Sequence, residues 1–343
     1  MTETDHYATF DAGDVQLVSG QVFPTMKLAY KTYGSLNAAR DNVIVYPTSF
    51  SAQHVDTHWL IAPDGVLDPE RYFIVIPNLF GNGLSSSPSN SPDAWSDGRY
   101  PLVTYHDAVA VQHRLLVEHL QVERIELVYG WSMGGMQAYH WAALYPDMVE
   151  RVAVVCGSAR CAPFNHVFLE GVKAAIQADP AYQNGRFVTQ PTVGMRAMGR
   201  VYAGWALSHA FYREEAWRGL GYVSCEDFLT RSWDGAFARR AGDDLLAQIA
   251  TWQNGDVSAC ARFGGDLTKA LAAITARVLL MPGATDSYFQ PSDNADELPL
   301  LVNARSSELA PIPSIYGHRA GNPIHIPADR AFLRQKVEEL LTS

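Results

Sequence analysis

The chain reads as an α/β protein, a mostly parallel sheet covered by helices on both faces with an all-helical block inserted before the last strands. Three observations predict this. Short aliphatic runs alternate with helical periodicity, the pattern of strands buried on both sides. The alternation stops near Ala159 and resumes at Arg277-Val278-Leu279-Leu280-Met281. In between, apolar residues recur only at helical spacing.

Taken in order, Val15 and Leu17, then Met26, Leu28 and Tyr30, alternate with polar residues and predict an antiparallel hairpin with one wet face. Asn42-Val43-Ile44-Val45-Tyr46-Pro47 and Tyr72-Phe73-Ile74-Val75-Ile76-Pro77 are buried strands running into loops. The second loop, Asn78 to Pro88, is rich in glycine and serine. It lacks both the Gly-Lys-Ser/Thr ending of a P-loop and the full Gly-x-Gly-x-x-Gly spacing, which argues against a nucleotide site. Asp107 to Leu120 is a helix by periodicity. Its His113 and His119 are six residues apart, off the spacing of a metal pair, and read as packing or surface residues. Ile125 to Tyr129 and Arg151 to Cys156 are further buried strands. The helical block covers 159–271, with helices expected at Asn165–Ala178, Thr192–Tyr212, Cys225–Arg240 and Asp243–Gln253. It divides the core into 1–158 and 272–343, and its position makes it a lid over the strand ends rather than a separate domain. After the strand at Arg277, Leu309 to Ile315 forms a last apolar segment and Ala328 to Leu341 a closing helix.

Composition excludes several classes. At 343 residues and 48% hydrophobic content the chain can bury a large core. A formal net charge of −10 argues against nucleic acid and against an anionic membrane surface. The start, Met1 to Tyr7, is acidic and has no apolar stretch of a signal peptide, and no run is long enough to span a bilayer. Cytoplasmic residence is the expectation. Cys156, Cys161, Cys225 and Cys260 have no metal-site spacing and read as reduced structural thiols.

The chemistry centres on Gly130-Trp131-Ser132-Met133-Gly134, placed between the strand at Ile125 and a run of helix formers ending before Pro146. Gly-x-Ser-x-Gly in a strand–turn–helix context is a nucleophile elbow. The turn strains the serine backbone, and glycine two residues to either side gives it room. The helix aims its positive end at the same place, which favours a developing oxyanion. A serine needs a base, and the base needs a carboxylate. Asp286 follows the strand after the helical block, and His318 follows the last apolar segment. Asp293, Asp296 and His325 compete for these roles from less favourable positions. Asp286 alternatively caps the next helix. The oxyanion hole takes two backbone N–H groups, from Met133 after the nucleophile and from Thr48 after the early strand.

These residues belong to longer segments that resemble the homoserine O-acetyltransferase family of α/β-hydrolases. The matching pieces are Leu28 to Asn37, Tyr72 to Asn78, Pro101 to Thr104, Gly130 to Ala138, Asp286 to Pro291 and Tyr316 to His318, in order along nearly the whole chain. The resemblance implies the α/β-hydrolase fold with a helical lid, acylation of Ser132, and a triad completed by Asp286 and His318. The departures concern the acceptor. The transferases follow the triad histidine with an aspartate for the amino group of homoserine, and Arg319 stands here. Arg200 in the lid matches the family's arginine for the homoserine carboxylate. Leu207 replaces a tyrosine, and Tyr46 to Phe50 replaces the family's His-Ala-Leu-Thr-Gly loop.

The expectation is therefore an esterase for short-chain, acetyl-type esters, because an acyl-enzyme lacking a bound amino-acid acceptor is resolved by water. Ser49, Phe50, Trp131, Arg200 and Arg319 are the expected substrate contacts. No cofactor or metal is expected. The partner is a small-molecule ester, and the resemblance implies a homodimer through the lid helices. The rivals are an acyl-CoA-dependent homoserine O-acyltransferase and a non-catalytic binding protein on the same fold.

Overall fold

The computed structural model describes residues 6–63, 65–96 and 98–343. Residues 1–5, most of the segment read as lacking a signal peptide, lie outside this description. The chain opens with β1 (Ala8–Gln16) and β2 (Val22–Tyr33), followed by β3 (Val43–Val45) and β4 (Phe73–Pro77). Next come α1 (Tyr105–Arg114), β5 (Ile125–Trp131), α2 (Met133–Leu144) and β6 (Arg151–Val155). The helical stretch contains α3 (Pro163–Gln177), the two-residue strands β7 (Tyr182–Gln183) and β8 (Arg186–Phe187), then α4 (Thr192–Ala206), α5 (His209–Arg213), α6 (Cys225–Ser232), α7 (Gly242–Gln253) and α8 (Leu267–Ala272). The core resumes with β9 (Arg277–Met281), α9 (Pro291–Glu297), β10 (Ser306–Leu309) and α10 (Pro327–Thr342).

Eight strands form one sheet in the order β1-β2-β4-β3-β5-β6-β9-β10. The pairs β1–β2 and β2–β4 are antiparallel, and the other neighbours are parallel. The two-residue side-chain period splits each central strand between two cores. Val43, Val45, Val75, Val128, Val152, Val154, Val278 and Leu280 face α1, α2 and the helical stretch. Ile44, Ile74, Ile76, Leu127, Val155, Leu279 and Met281 face Leu333, Val337 and Leu340 of α10. Both faces are dry, which is why these strands are unbroken aliphatic runs.

The helical stretch departs from expectation at four places. The helix expected over Thr192–Tyr212 breaks at Leu207, which is extended (φ −123°, ψ 151°). Ser208 then caps α5, its Oγ accepting from the Phe211 N–H at 3.0 Å and donating to the Ile315 carbonyl. The helix expected over Cys225–Arg240 ends at Ser232, where Asp234-Gly235 turns the chain. The small β7–β8 hairpin falls within the stretch expected to be purely helical. Finally, α8 crosses the expected end of the block at residue 271, and its Ala270 and Leu271 are buried in the core.

Candidate active site

Ser132 sits between β5 and α2 with φ 59° and ψ −125°, a conformation forbidden to most side-chain-bearing residues. Its N–H donates to the Val155 carbonyl at 2.9 Å, and its own carbonyl accepts from the Met136 N–H at 3.1 Å. A Cβ at Gly130 would lie 2.0 Å from the Gly134 carbonyl oxygen, and one at Gly134 would lie 2.6 Å from the Pro47 carbonyl oxygen. The two glycines are therefore sterically obligatory, and the strained turn projects Ser132 toward a cavity of about 540 Å³ that it helps to line.

Asp286 lies in the turn that follows β9. Its Oδ1 accepts from the N–H groups of Tyr288 and Phe289, each at 3.1 Å. Its Oδ2 lies 2.6 Å from His318 Nδ1, and both side chains are buried. Gln290, not Asp286, occupies the cap position of α9, so the alternative role as a helix cap is not the one found. Asp293 and Asp296 do not line the cavity, and His325 lies at its exposed rim. The His318 ring is held between Trp131, at 5.1 Å between centroids, and Tyr288, at 4.3 Å. His318 lines the same cavity as Ser132.

Two expected contacts are corrected. The Thr48 N–H donates to the Pro77 carbonyl at 3.2 Å, its hydroxyl accepts from the Leu79 N–H at 2.8 Å, and the residue does not line the cavity. The parallel ladder runs three residues past β3 and consumes that donor. One residue on, Ser49 lines the cavity, and its Oγ donates to the carbonyl of Trp131, which precedes Ser132. Among the described residues no acceptor takes the Ser49 N–H. The second correction is Arg200. It bonds Asp234 at 2.7 Å and Glu226 at 2.6 Å on the outside of the helical stretch and is absent from the cavity wall. The other expected contacts, Phe50, Trp131 and Arg319, do line the cavity, as does Leu207.

Sequence reasoning missed two neighbours of the site. Cys156, at the end of β6, adopts φ 45°, and its Sγ, an Asp286 oxygen and a His318 nitrogen all lie within 4.8 Å of one another. Burial, with Asp286 beside it, drives the thiol pKa up, so it stays protonated. The second is the aromatic cluster of Tyr202, Tyr288 and Phe168 that surrounds the expected Phe50. Phe50 stacks on Tyr202 at 5.8 Å, and Phe168 stacks on Tyr288 at 4.7 Å. Composition alone carried no signal for either, since both depend on residues distant in sequence.

A family model described as alpha/beta hydrolase fold matches residues 57–305. The chain belongs to the α/β-hydrolase family. It is 36% identical over 91% of its length to a probable esterase of Corynebacterium glutamicum, covering 89% of that protein. It is 35% identical over 92% of its length to the ethyl acetate hydrolase of Pseudomonas veronii, covering 91% of it. A crystal structure of an acetylester hydrolase from Corynebacterium glutamicum superposes with a TM-score of 0.93 at 34% identity, covering 99% of this chain and 97% of that one. Homoserine O-acyltransferases match at lower identity, for example 29% for a homoserine O-succinyltransferase of Hydrogenovibrio crunogenus. The resemblance seen in the sequence thus holds, and within this α/β-hydrolase branch the esterases stand nearer than the transferases.

Proposed function

We propose that this chain hydrolyses short-chain, acetyl-type carboxylic esters through an acyl-enzyme. It is a carboxylic-ester hydrolase whose reacting groups are Ser132, His318 and Asp286. The observation that carries this reading is the strained Ser132 turn sharing a cavity with His318, whose Nδ1 lies 2.6 Å from Asp286 Oδ2.

Ser132 Oγ attacks the ester carbonyl as His318 takes its proton. Asp286, fixed by two backbone N–H groups, holds the proton on Nδ1 and stabilises the imidazolium. The oxyanion is received by the Met133 N–H, in the first turn of α2 where no helical acceptor exists, and by the Ser49 N–H. His318 then protonates the departing alcohol and activates water against the acyl-enzyme.

The acceptor site of a transferase is not supported by the geometry. Arg200 is occupied by two carboxylates, and Arg319 presents a cation beside His318. A cation there repels an ammonium group. Among the described residues no helix is long and apolar enough to cross a membrane. Cytoplasmic residence is part of the same reading, supported by four free cysteines. So is a homodimer through the helical stretch, where Phe164, Val167 and Val193 stand exposed on α3 and α4.

The deciding experiment follows hydrolysis of p-nitrophenyl acetate and ethyl acetate beside CoA release from acetyl-CoA with and without homoserine, with Ser132→Ala as the blank. Ester hydrolysis without homoserine-dependent CoA release is the expected result. Homoserine-dependent release well above the blank would replace this reading with an acetyltransferase.

A further inference from the structure

The cavity wall carries a cation that ester hydrolysis leaves unused. Arg319 follows His318 in the same single turn, and its guanidinium carbon lies 4.7 Å from the centre of the Trp233 ring. Both residues line the cavity. Among the described residues no carboxylate pairs with Arg319. Its polar surroundings are the tyrosines Tyr288, Tyr222 and Tyr212, and burial lowers its pKa. Asp56, the acid on the same wall, is already bound by Arg239 at 2.7 Å. In a chain with a net charge of −10, acids are plentiful, and the exposed Arg200 has two. Arg319 is half-buried, with none.

The Trp233 ring against the guanidinium carbon restricts the rotation of the group. Its fork of N–H donors, with no carboxylate partner, remains for a ligand. Partial removal from water strengthens the attraction for an anion entering the cavity. We infer that Arg319 is a specificity determinant that receives a carboxylate carried by the substrate, so that the preferred ester is a short-chain anionic one rather than a neutral alkyl ester. The word ester rests on the function proposed above; the anion site rests on the wall alone.

The test reads binding rather than turnover. In the Ser132→Ala protein, calorimetry compares 4-acetoxybutanoate with its neutral amide, and monoethyl succinate with ethyl succinamate. The two pairs place the anion on the alcohol side and on the acyl side. The anionic member of at least one pair is expected to bind about tenfold or more tighter. Arg319→Met should erase that advantage and leave the neutral ligand's affinity unchanged, and Arg319→Lys should keep part of it. Equal affinities within both pairs, or an equal loss for both members on Arg319→Met, would overturn the inference. A wild-type protein inert toward every ester would defeat the esterase reading and leave this binding result standing.

Discussion

A Cβ at Gly317 would lie 3.0 Å from Leu207 Cα and 2.9 Å from the Ala206 carbonyl oxygen. The residue before His318 therefore touches, backbone to backbone, the break in the helical stretch. Gly317 also holds φ +56°, which costs other residues on the order of 1 kcal/mol or more. The position of His318 and the position of the α4–α5 break are thus one feature.

Gly317→Ala should push these two segments apart. A displacement of the base near 1 Å lowers kcat/KM about 100-fold. The check is kcat/KM for p-nitrophenyl acetate together with the melting temperature. Wild-type turnover in a folded variant would show that the contact does not position His318.

Asp286→Asn keeps an acceptor for the Tyr288 and Phe289 N–H groups but turns an amide toward His318 Nδ1. The wrong tautomer then faces Ser132, and kcat should fall by roughly four orders of magnitude. Asp293→Asn, away from His318, should stay within about threefold of wild type. Equal losses in the two variants would mean that the acid was misassigned.

Much of this was legible in the sequence because it is local. The elbow is a five-residue pattern, and the strands are continuous aliphatic runs. What was not legible depends on distant partners. Thr48 loses its role because Pro77, on a neighbouring strand, takes its N–H. Arg200 is drawn outward by Glu226 and Asp234, on elements far along the chain. The break at Leu207 carries no proline or glycine and is fixed by the Ser208 hydroxyl reaching the Ile315 carbonyl.

Two buried groups set opposite slopes of stability against pH. Burial pushes the Glu297 carboxyl from 4.5 to about 7, despite donors from Tyr139, Ala159 and Asn294. Between those values the folded state keeps a proton that the unfolded chain releases. Its stabilisation is full below pH 4.5 and is lost as pH rises to about 7, a term of roughly 3 kcal/mol. Burial holds His140 down at about 3 from 6.5, so its stabilisation is present above pH 6.5 and is lost on acidification. Glu297→Gln removes the first term and leaves the second. Urea midpoints at pH 7 and pH 5 should then fall more steeply with acid in the variant than in the wild type. Parallel profiles would show that Glu297 is charged throughout.

The oxyanion loop separates two neighbouring residues by consequence. Thr48→Ala removes the acceptor for the Leu79 N–H at 2.8 Å, a buried loss costing about 1–3 kcal/mol of stability. It leaves the Thr48 N–H on Pro77 and should change kcat/KM by less than about threefold. Ser49→Ala removes the hydroxyl that ties the loop to the Trp131 carbonyl, one residue before the nucleophile. The Ser49 N–H then loses its register with Ser132, and kcat should drop about tenfold or more with little change in KM, since the interaction strengthens only as the oxyanion forms. The readouts are urea midpoints and kcat with KM for both variants. If Thr48→Ala lost kcat and Ser49→Ala did not, the second donor would lie at Thr48, and the loop would have to release its bond to Pro77 during turnover.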